Sequence, residues 1–137
     1  NPTTCLPTAK LNEVAKLMVD YSCGEIPVVK SKDNPELVGV VTDRDICCRA
    51  IAEGKNPITT PASEVMSSPV FTITADTDVA KTCKTFGEKE VRRLLVVDKK
   101  NHVIGILSVA DLAERAPEQY AREILRSSTK SGGTHVV

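Results

Sequence analysis

The sequence predicts an α+β fold made of two copies of one strand–helix–strand–strand–helix unit, with small mixed sheets flanked by helices. A helical pattern that begins at Leu11 recurs at Val79, 68 residues later, and a strand-and-turn pattern that begins at Gly39 recurs at Gly105, 66 residues later. The chain has 137 residues, so each copy alone is too small to bury its own helices and sheet. The two copies are therefore expected to pack on each other.

The first copy is predicted to contain a helix, a hairpin and a second helix. The hairpin strands are Ile26–Val29 and Leu37–Val41, around a turn at 30–35 that holds the two extra residues of this copy. Thr42 then opens the second helix, which ends at Gly54. The first helix shows apolar residues at intervals of three and four, and its predicted buried face is Leu11, Val14, Ala15, Met18 and Tyr21. The predicted apolar face of the second helix is Ile46, Cys47, Ala50 and Ile51.

The second copy repeats this order. A strand at Val70–Ile73 and a helix from about Thr77 to Lys89 precede two strands, Leu94–Val97 and Val103–Leu107, and a final helix starts after Ser108.

The predicted domains follow from these elements. The first spans 2–54, a proline-rich linker with a short helical turn at Ser63–Met66 spans 55–69, and the second domain spans 70–116. A C-terminal helix at 117–127, with Tyr120, Ile124 and Leu125 on one side, and a flexible tail at 128–137 complete the chain. The lead-in at 63–69 has no counterpart before Asn1, so the first domain is expected to lack this turn.

Charge and hydropathy exclude two classes of partner. Lys and Arg number 18 and Asp and Glu number 18, and this balance argues against a nucleic-acid footprint and against a polybasic membrane surface. The longest apolar runs are about four residues, whereas a membrane span needs roughly 20. No signal-peptide pattern opens the chain, so a soluble, cytoplasmic protein without membrane or nucleic-acid partners is expected.

The five cysteines predict neither a disulfide framework nor a metal site. Their number is odd, they show no CxxC spacing, and the two histidines, His102 and His135, lie far from any cysteine pair. Reduced thiols in the core are expected. No Ser/His/Asp or Cys/His set, phosphate-binding P-loop or GxGxxG motif is present, so we expect no catalytic residues and no enzyme.

A hydroxyl and a carboxylate three residues apart stand at both strand-to-helix junctions. The pairs are Thr42 with Asp45 and Ser108 with Asp111. One interpretation is a capping box that begins each helix. The other is a nucleotide site, because a helix start attracts phosphate and a carboxylate can accept two hydrogen bonds from the ribose diol.

Arg92 and Arg93 distinguish the two copies. They precede the central strand of the second copy, where planar guanidinium groups suit phosphate oxygens, although adjacent arginines are often only solvated charge. The first copy has Gly24 and Glu25 at the matching positions. An anionic ligand should therefore favour the site that the two arginines reach.

These residues together resemble a known family. Gly24–Val29 (GEIPVV) with Leu37–Ile46 (LVGVVTDRDI) resembles one cystathionine-β-synthase (CBS) domain, and Val91–Asp98 (VRRLLVVD) with Val103–Leu112 (VIGILSVADL) resembles a second. The resemblance covers about residues 2–116. It implies a pseudo-twofold CBS-domain pair, known as a Bateman module, with clefts between the domains that bind adenine nucleotides or related ligands.

The resemblance also implies the site residues. Thr42 and Asp45 would serve one cleft, with Asp45 on the ribose hydroxyls, and the other repeat would complete it with Thr77, Val91 and Arg92. Ser108 and Asp111 would serve the other cleft, completed by Ala9, Cys23 and Gly24. Arg92 and Arg93 stand where related modules carry phosphate-binding residues. The chain departs from the family pattern in two places, with Leu95 for the usual proline and Gly24–Glu25 without a cation.

The leading hypothesis is a non-catalytic regulatory module, homodimeric as the family commonly is, that binds AMP, ADP, ATP or S-adenosylmethionine and needs no other cofactor. A first alternative is a homodimeric interaction scaffold without a ligand, in which the hydroxyl–carboxylate pairs only cap helices. A second is a redox sensor that uses Cys23 or the Cys47–Cys48 pair. The downstream protein partner is left open.

Overall fold

The computed structural model describes residues 2–68, 70–89, 91–115 and 117–119. The chain divides into two compact units. Unit 1 comprises Asn1–Val70 with Lys100–Val103, and unit 2 comprises Phe71–Lys99 with Ile104–Val137. Each unit combines a small sheet with helices, which confirms the predicted α+β class. The predicted C-terminal helix beyond residue 119 and the predicted tail lie outside the described residues.

Unit 1 is built on a hairpin. Strand β1 (Glu25–Val29) pairs antiparallel with β2 (Leu37–Thr42), and Cys5 adds a single parallel bridge to Val28. Helix α1 (Leu11–Asp20) precedes the hairpin. After it come the short helix α2 (Asp43–Asp45), a π-helix (Ile46–Ile51) and a 3-10 turn (Ala62–Glu64).

The core of unit 1 lies between α1, the hairpin and the π-helix. Leu11, Val14 and Met18 of α1 are buried as predicted. Tyr21 is not, because α1 ends at Asp20 and Tyr21 is the C-terminal cap residue, with a side chain 63% exposed. The predicted buried face is thus correct up to Met18 and wrong at its end.

The predicted linker is part of unit 1. We call residues 55–68 the connector. Its Thr60 carbonyl accepts from the Leu11 N–H at 3.0 Å, and Ser67 exchanges two backbone hydrogen bonds with Val40, at 2.8 and 3.1 Å. Ala62 and Val65 of the connector are buried in the unit 1 core. The proline-rich composition therefore describes a segment bonded along its length to α1 and β2.

The helix after Asp45 differs from the prediction in its winding. The N–H groups of Ala52 and Lys55 donate to carbonyls five residues earlier, at 2.9 and 3.0 Å, whereas the predicted face assumed an α-helix with bonds to the fourth residue. Ile46 and Ala50 are buried, but Cys47 and Cys48 are exposed. The wider turn rotates Cys47 off the face shared by Ile46 and Ala50. Ile51, the last residue of the π-helix, is also exposed, so the apolar-face prediction was wrong at Cys47 and Ile51.

Unit 2 is built on a three-stranded sheet. Its elements are β3 (Thr72–Thr74), α3 (Val79–Lys89), β4 (Arg93–Val97), β5 (Val103–Ser108) and α4 (Val109–Arg115), with strand order β3-β4-β5 and β3 parallel to β4. Its core cluster contains Cys83, Phe86, Leu94, Val109 and Leu112. Helix α3 begins two residues later than predicted, because the Asp78 carboxylate accepts from the Lys81 N–H at 2.8 Å and so caps the helix.

The two units repeat the same backbone contacts at the offsets that the sequence predicts. In unit 1 the Asp43 N–H donates to the Gly24 carbonyl at 3.0 Å, and in unit 2 the Val109 N–H donates to the Arg92 carbonyl at 2.9 Å. The first of each pair is displaced by 66 residues and the second by 68. The predicted duplication is therefore present in the hydrogen bonding as well as in the sequence.

Among the helices of the described residues, none is both long enough and apolar enough to cross a bilayer.

The cysteines should differ in reactivity with burial. Cys47 and Cys48 are exposed, Cys5 and Cys83 are buried, and burial raises the pKa of the Cys5 thiol to about 11. Because the thiolate is the nucleophile, we expect iodoacetamide at pH 8 to label Cys47 and Cys48 first and Cys5 last, measured by peptide mass spectrometry. Labelling in urea serves as the control, in which the order should disappear. Native Cys5 reacting as fast as Cys48 would contradict the burial.

Candidate functional site

The junction of unit 1 is a closed capping box. The Thr42 Oγ1 accepts from the Asp45 N–H at 3.0 Å, and the Thr42 N–H donates to Asp45 Oδ2 at 2.9 Å. Thr42 is the last residue of β2 and has extended backbone dihedrals, as an N-cap residue requires. The side chains of Thr42 and Asp45 are thus placed by the start of the helix itself.

The junction of unit 2 has the same geometry. The Ser108 Oγ accepts from the Asp111 N–H at 3.0 Å and donates to Asp111 Oδ2 at 2.7 Å, while the Ser108 N–H donates to the same Oδ2 at 3.1 Å. The capping interpretation of both pairs therefore describes their local geometry.

The two carboxylates differ in exposure. The Asp45 side chain is 12% exposed, and the Nε of Arg49 lies 3.7 Å from its Oδ1. Asp111 is exposed, and its capping bonds all end on Oδ2. Its Oδ1 consequently lies outside the cap and is available for a further hydrogen bond.

The junction of unit 2 favours the ionised carboxylate. The hydrogen bond from the Ser108 hydroxyl, followed by that from the Ser108 N–H, lowers the pKa of Asp111 below its ordinary value, and the charges of Arg115 and Arg93 act in the same direction. An ionised carboxylate is an acceptor at both oxygens. Asp111 is therefore suited to receive hydroxyl donors.

Three predicted site residues of unit 1 lie outside the capping box. The Gly24 carbonyl accepts from the Asp43 N–H, and a Cβ at Gly24 would come 2.9 Å from Asp43 Oδ2, so a side chain there would displace that carboxylate. Cys23 is half-buried beside Gly24, with its N–H on the Met18 carbonyl. Ala9 lies at the connector, where its carbonyl accepts from the N–H of residue 62.

In unit 2, Arg92 is joined to the Ser108–Asp111 junction through its backbone, because its carbonyl accepts from the Val109 N–H. The side chains of Arg92 and Arg93 are exposed, and Val91 packs against the unit 2 core. Thr77 lies in a shallow groove of about 410 Å³ between β3 and α3. The groove is lined by Thr72, Ile73, Thr74, Thr77, Lys81, Lys84, Thr85 and Glu88.

The sequence analysis missed the two lysines of this groove. Lys81, Lys84, Thr85 and Glu88 recur at intervals of one, three and four on α3, a spacing that places them on one helix face. That periodicity was a usable signal. It went unused because the prediction followed the apolar face of the helix.

Within the described ranges, His, Cys, Asp and Glu form no cluster of three or more that could hold a metal ion.

Repeated junctions, parallel lead-in pairing and a shared core design define the class as a tandem repeat of a small α+β domain. A family model of the CBS domain matches residues 1–50 and 62–118. The chain therefore belongs to the CBS-domain family and carries the domain as a tandem pair.

Relatives support the same family. The CBS domain-containing protein YhcV of Bacillus subtilis is 36% identical over 110 residues, which cover 80% of this chain and 75% of YhcV. The uncharacterised protein MK0525 of Methanopyrus kandleri is 34% identical over 111 residues, covering 81% of this chain. The match spans 56% of the length of MK0525.

A solved structure extends the comparison to a ligand complex. The CBS domain protein PAE2072 from Pyrobaculum aerophilum, complexed with AMP, is 28% identical and superposes with a TM-score of 0.74. The superposition covers 91% of this chain and 92% of that protein.

Replacing Ser108 should raise the pKa of Asp111. Ser108→Ala removes the hydroxyl that contributes most to the lowered value, so the pKa should move towards the unperturbed value of about 3.9. The variant also loses a helix cap, a cost of about 1 kcal/mol. Carboxyl NMR titration measures the shift.

Asp76 provides an internal control in the same spectra, because its pKa is lowered by Thr74 and should stay unchanged. A native pKa below the unfolded one means that Asp111 stabilises the fold above the unfolded pKa. This contribution is lost as the pH falls through the native value. An Asp111 pKa that is equal in both proteins would contradict the capping geometry.

Proposed function

We propose that this chain is a non-catalytic regulatory module that binds an adenine nucleotide, AMP, ADP or ATP, or a related adenosyl ligand such as S-adenosylmethionine, at its strand-to-helix junctions. The observation that carries the proposal is the duplicated hydroxyl–carboxylate junction, found in a chain related to a CBS domain protein that is complexed with AMP. A single cap would be an ordinary helix start. Two copies at matching offsets in this family point to a shared ligand role.

The capping role and the ligand role are compatible at Asp111. The cap uses the Ser108 hydroxyl and Asp111 Oδ2, while Oδ1 lies outside the cap. A ribose hydroxyl can donate to Oδ1 without breaking the cap. The cap also fixes the carboxylate in one orientation before the ligand arrives, which lowers the entropy lost on binding.

The phosphates of such a ligand would be bound by Arg92 and Arg93. Both side chains are exposed, and guanidinium groups form paired hydrogen bonds with phosphate oxygens. The family resemblance assigns Thr77, Val91 and Arg92 to the ligand of Asp45, and Ala9, Cys23 and Gly24 to that of Asp111. We retain both assignments as part of the proposal.

Regulation requires that the ligand bind one arrangement of the module more tightly than another, because equal affinity shifts no equilibrium. We also propose that the module is a homodimer. Unit 1 exposes four large apolar side chains that self-association could cover: Val19, Tyr21, Ile51 and Ile58.

Removing the charge of Asp111 should weaken adenosine-containing ligands. We expect Asp111→Asn to lower the affinity for AMP at least about tenfold, because the ionised acceptor is lost. Isothermal titration calorimetry with AMP, ADP, ATP and S-adenosylmethionine measures this and shows which ligand binds. Asp76→Asn is the matched control, since Asp76 is another exposed aspartate with a lowered pKa in the same unit.

Two results would overturn the proposal. If none of the four ligands binds the unmodified protein, the scaffold alternative stands. If AMP binds Asp111→Asn and Asp45→Asn as tightly as the unmodified protein, the carboxylates serve only as helix caps.

The two arginines should act on the phosphates alone. We expect the double variant Arg92→Ala, Arg93→Ala to weaken ATP several-fold more than adenosine, because only ATP carries the charge that they bind. Lys32→Ala with Lys99→Ala is the control, since it removes the same charge from exposed positions. An equal loss for ATP and adenosine would show that the arginines do not bind phosphate.

The exposed thiols of Cys47 and Cys48 favour redox sensing as a second candidate function. A thiolate there could attack a disulfide such as oxidised glutathione, forming a mixed disulfide and releasing one reduced glutathione thiol. Treatment with oxidised glutathione before calorimetry and sedimentation tests this candidate. Mixed disulfides at these residues that change neither ligand affinity nor oligomeric state would exclude it.

A further inference from the structure

Arg49 contacts two parts of unit 1 at once. Its Nε lies 3.7 Å from Asp45 Oδ1, and its Nη1 donates to the backbone carbonyls of Val65 at 3.2 Å and Met66 at 3.5 Å. The guanidinium is planar and permanently charged, so one side chain can serve both partners in a fixed geometry. Arg49 thus joins the candidate ligand carboxylate to the connector between the repeats.

The Asp45 carboxylate is held from both of its oxygens. Oδ2 accepts from the Thr42 N–H at 2.9 Å, and Oδ1 faces Arg49. The 3.7 Å contact is longer than a hydrogen bond, and an oxygen has two lone pairs. Oδ1 therefore keeps an acceptor position for a ligand hydroxyl while Arg49 stays in place.

The connector carbonyls lie beside a tightly packed contact. A Cβ at Gly39 would come 2.7 Å from the Met66 Sδ and 3.1 Å from the Ser67 carbonyl oxygen, so the backbone of β2 and the connector approach closely there. Ser67 is also paired with Val40 of β2 by two hydrogen bonds. Arg49 adds a charged contact to this section of the connector.

We propose that Arg49 is a positioning residue that orients Asp45 and couples ligand binding at Asp45 to the order of the connector. This inference rests on the proposed function. A ligand hydroxyl on Oδ1 and the guanidinium of Arg49 restrict the same carboxylate, so each lowers the entropy that the other must lose. Coupling of this kind is reciprocal, and a more ordered connector also strengthens ligand binding.

The second repeat supplies a matched comparison. Arg115 follows Asp111 by four residues, as Arg49 follows Asp45, and its charge contributes to lowering the pKa of Asp111. Arg115→Ala removes the equivalent charge in unit 2. It should leave the connector response unchanged, because the guanidinium that bonds the Val65 and Met66 carbonyls is that of Arg49.

Hydrogen–deuterium exchange with and without AMP tests the coupling. In the unmodified protein we expect AMP to slow exchange several-fold in a peptide covering 62–68, where the Met66 and Ser67 N–H groups donate to Ala62 and Val40. Arg49→Ala should abolish this protection and weaken AMP three- to tenfold, whereas Arg115→Ala should retain the protection. Asp45→Asn should also abolish it. A role confined to stability would not remove a ligand-dependent change.

The outcomes separate this inference from the proposed function. If AMP does not bind the unmodified protein, the proposed function fails, and this inference fails with it. If AMP binds and the 62–68 peptide is protected equally in Arg49→Ala, or is unprotected in the unmodified protein, only the inference is overturned. If circular dichroism shows Arg49→Ala unfolded, Arg49→Lys decides, because it keeps the charge without the planar fork. Full protection in that variant would contradict the proposal.

Discussion

The hydrogen-bonded turn from strand to helix is the constraint on which both units depend. In each unit a hydroxyl at the end of a strand accepts the N–H of an aspartate three residues later, and that aspartate returns a hydrogen bond to the backbone of the first residue. The chain therefore changes direction at Thr42 and at Ser108 without leaving these donors unpaired. The neighbouring Asp43–Gly24 and Val109–Arg92 backbone bonds then tie each helix start to the entry of the adjacent strand.

This cap also decides which atoms remain for chemistry. Oδ2 of each aspartate is committed to the backbone, so any ligand must use Oδ1. In unit 2 that oxygen belongs to an exposed side chain near the charges of Arg93 and Arg115. In unit 1 it belongs to a nearly buried side chain that faces Arg49. One sequence pattern thus gives two sites of different accessibility, a difference that the spacing alone does not contain.

The duplication, the strands and the two caps could be predicted because each depends on residues near one another in sequence. The exposure of Cys47 could not, since it depends on a π-helical winding that a pattern based on 3.6 residues per turn does not register. The connector was read as a linker from its prolines, whereas Ala62 and Val65 are core residues held by bonds to distant strands and helices. Arg49 was missed for the same reason, because its partners Val65 and Met66 lie 16 and 17 residues away.

The unequal junctions bear on how a duplicated module can regulate anything. Two identical, independent sites would report only ligand concentration, and equal affinity in two arrangements would shift neither. Here one aspartate stands exposed beside free-standing arginines, and the other is bonded through Arg49 to the segment that links the repeats. Occupancy of the second would alter the order of that segment as well as its own surroundings, since the guanidinium is shared. The asymmetry therefore gives the first repeat a route from ligand binding to the connector.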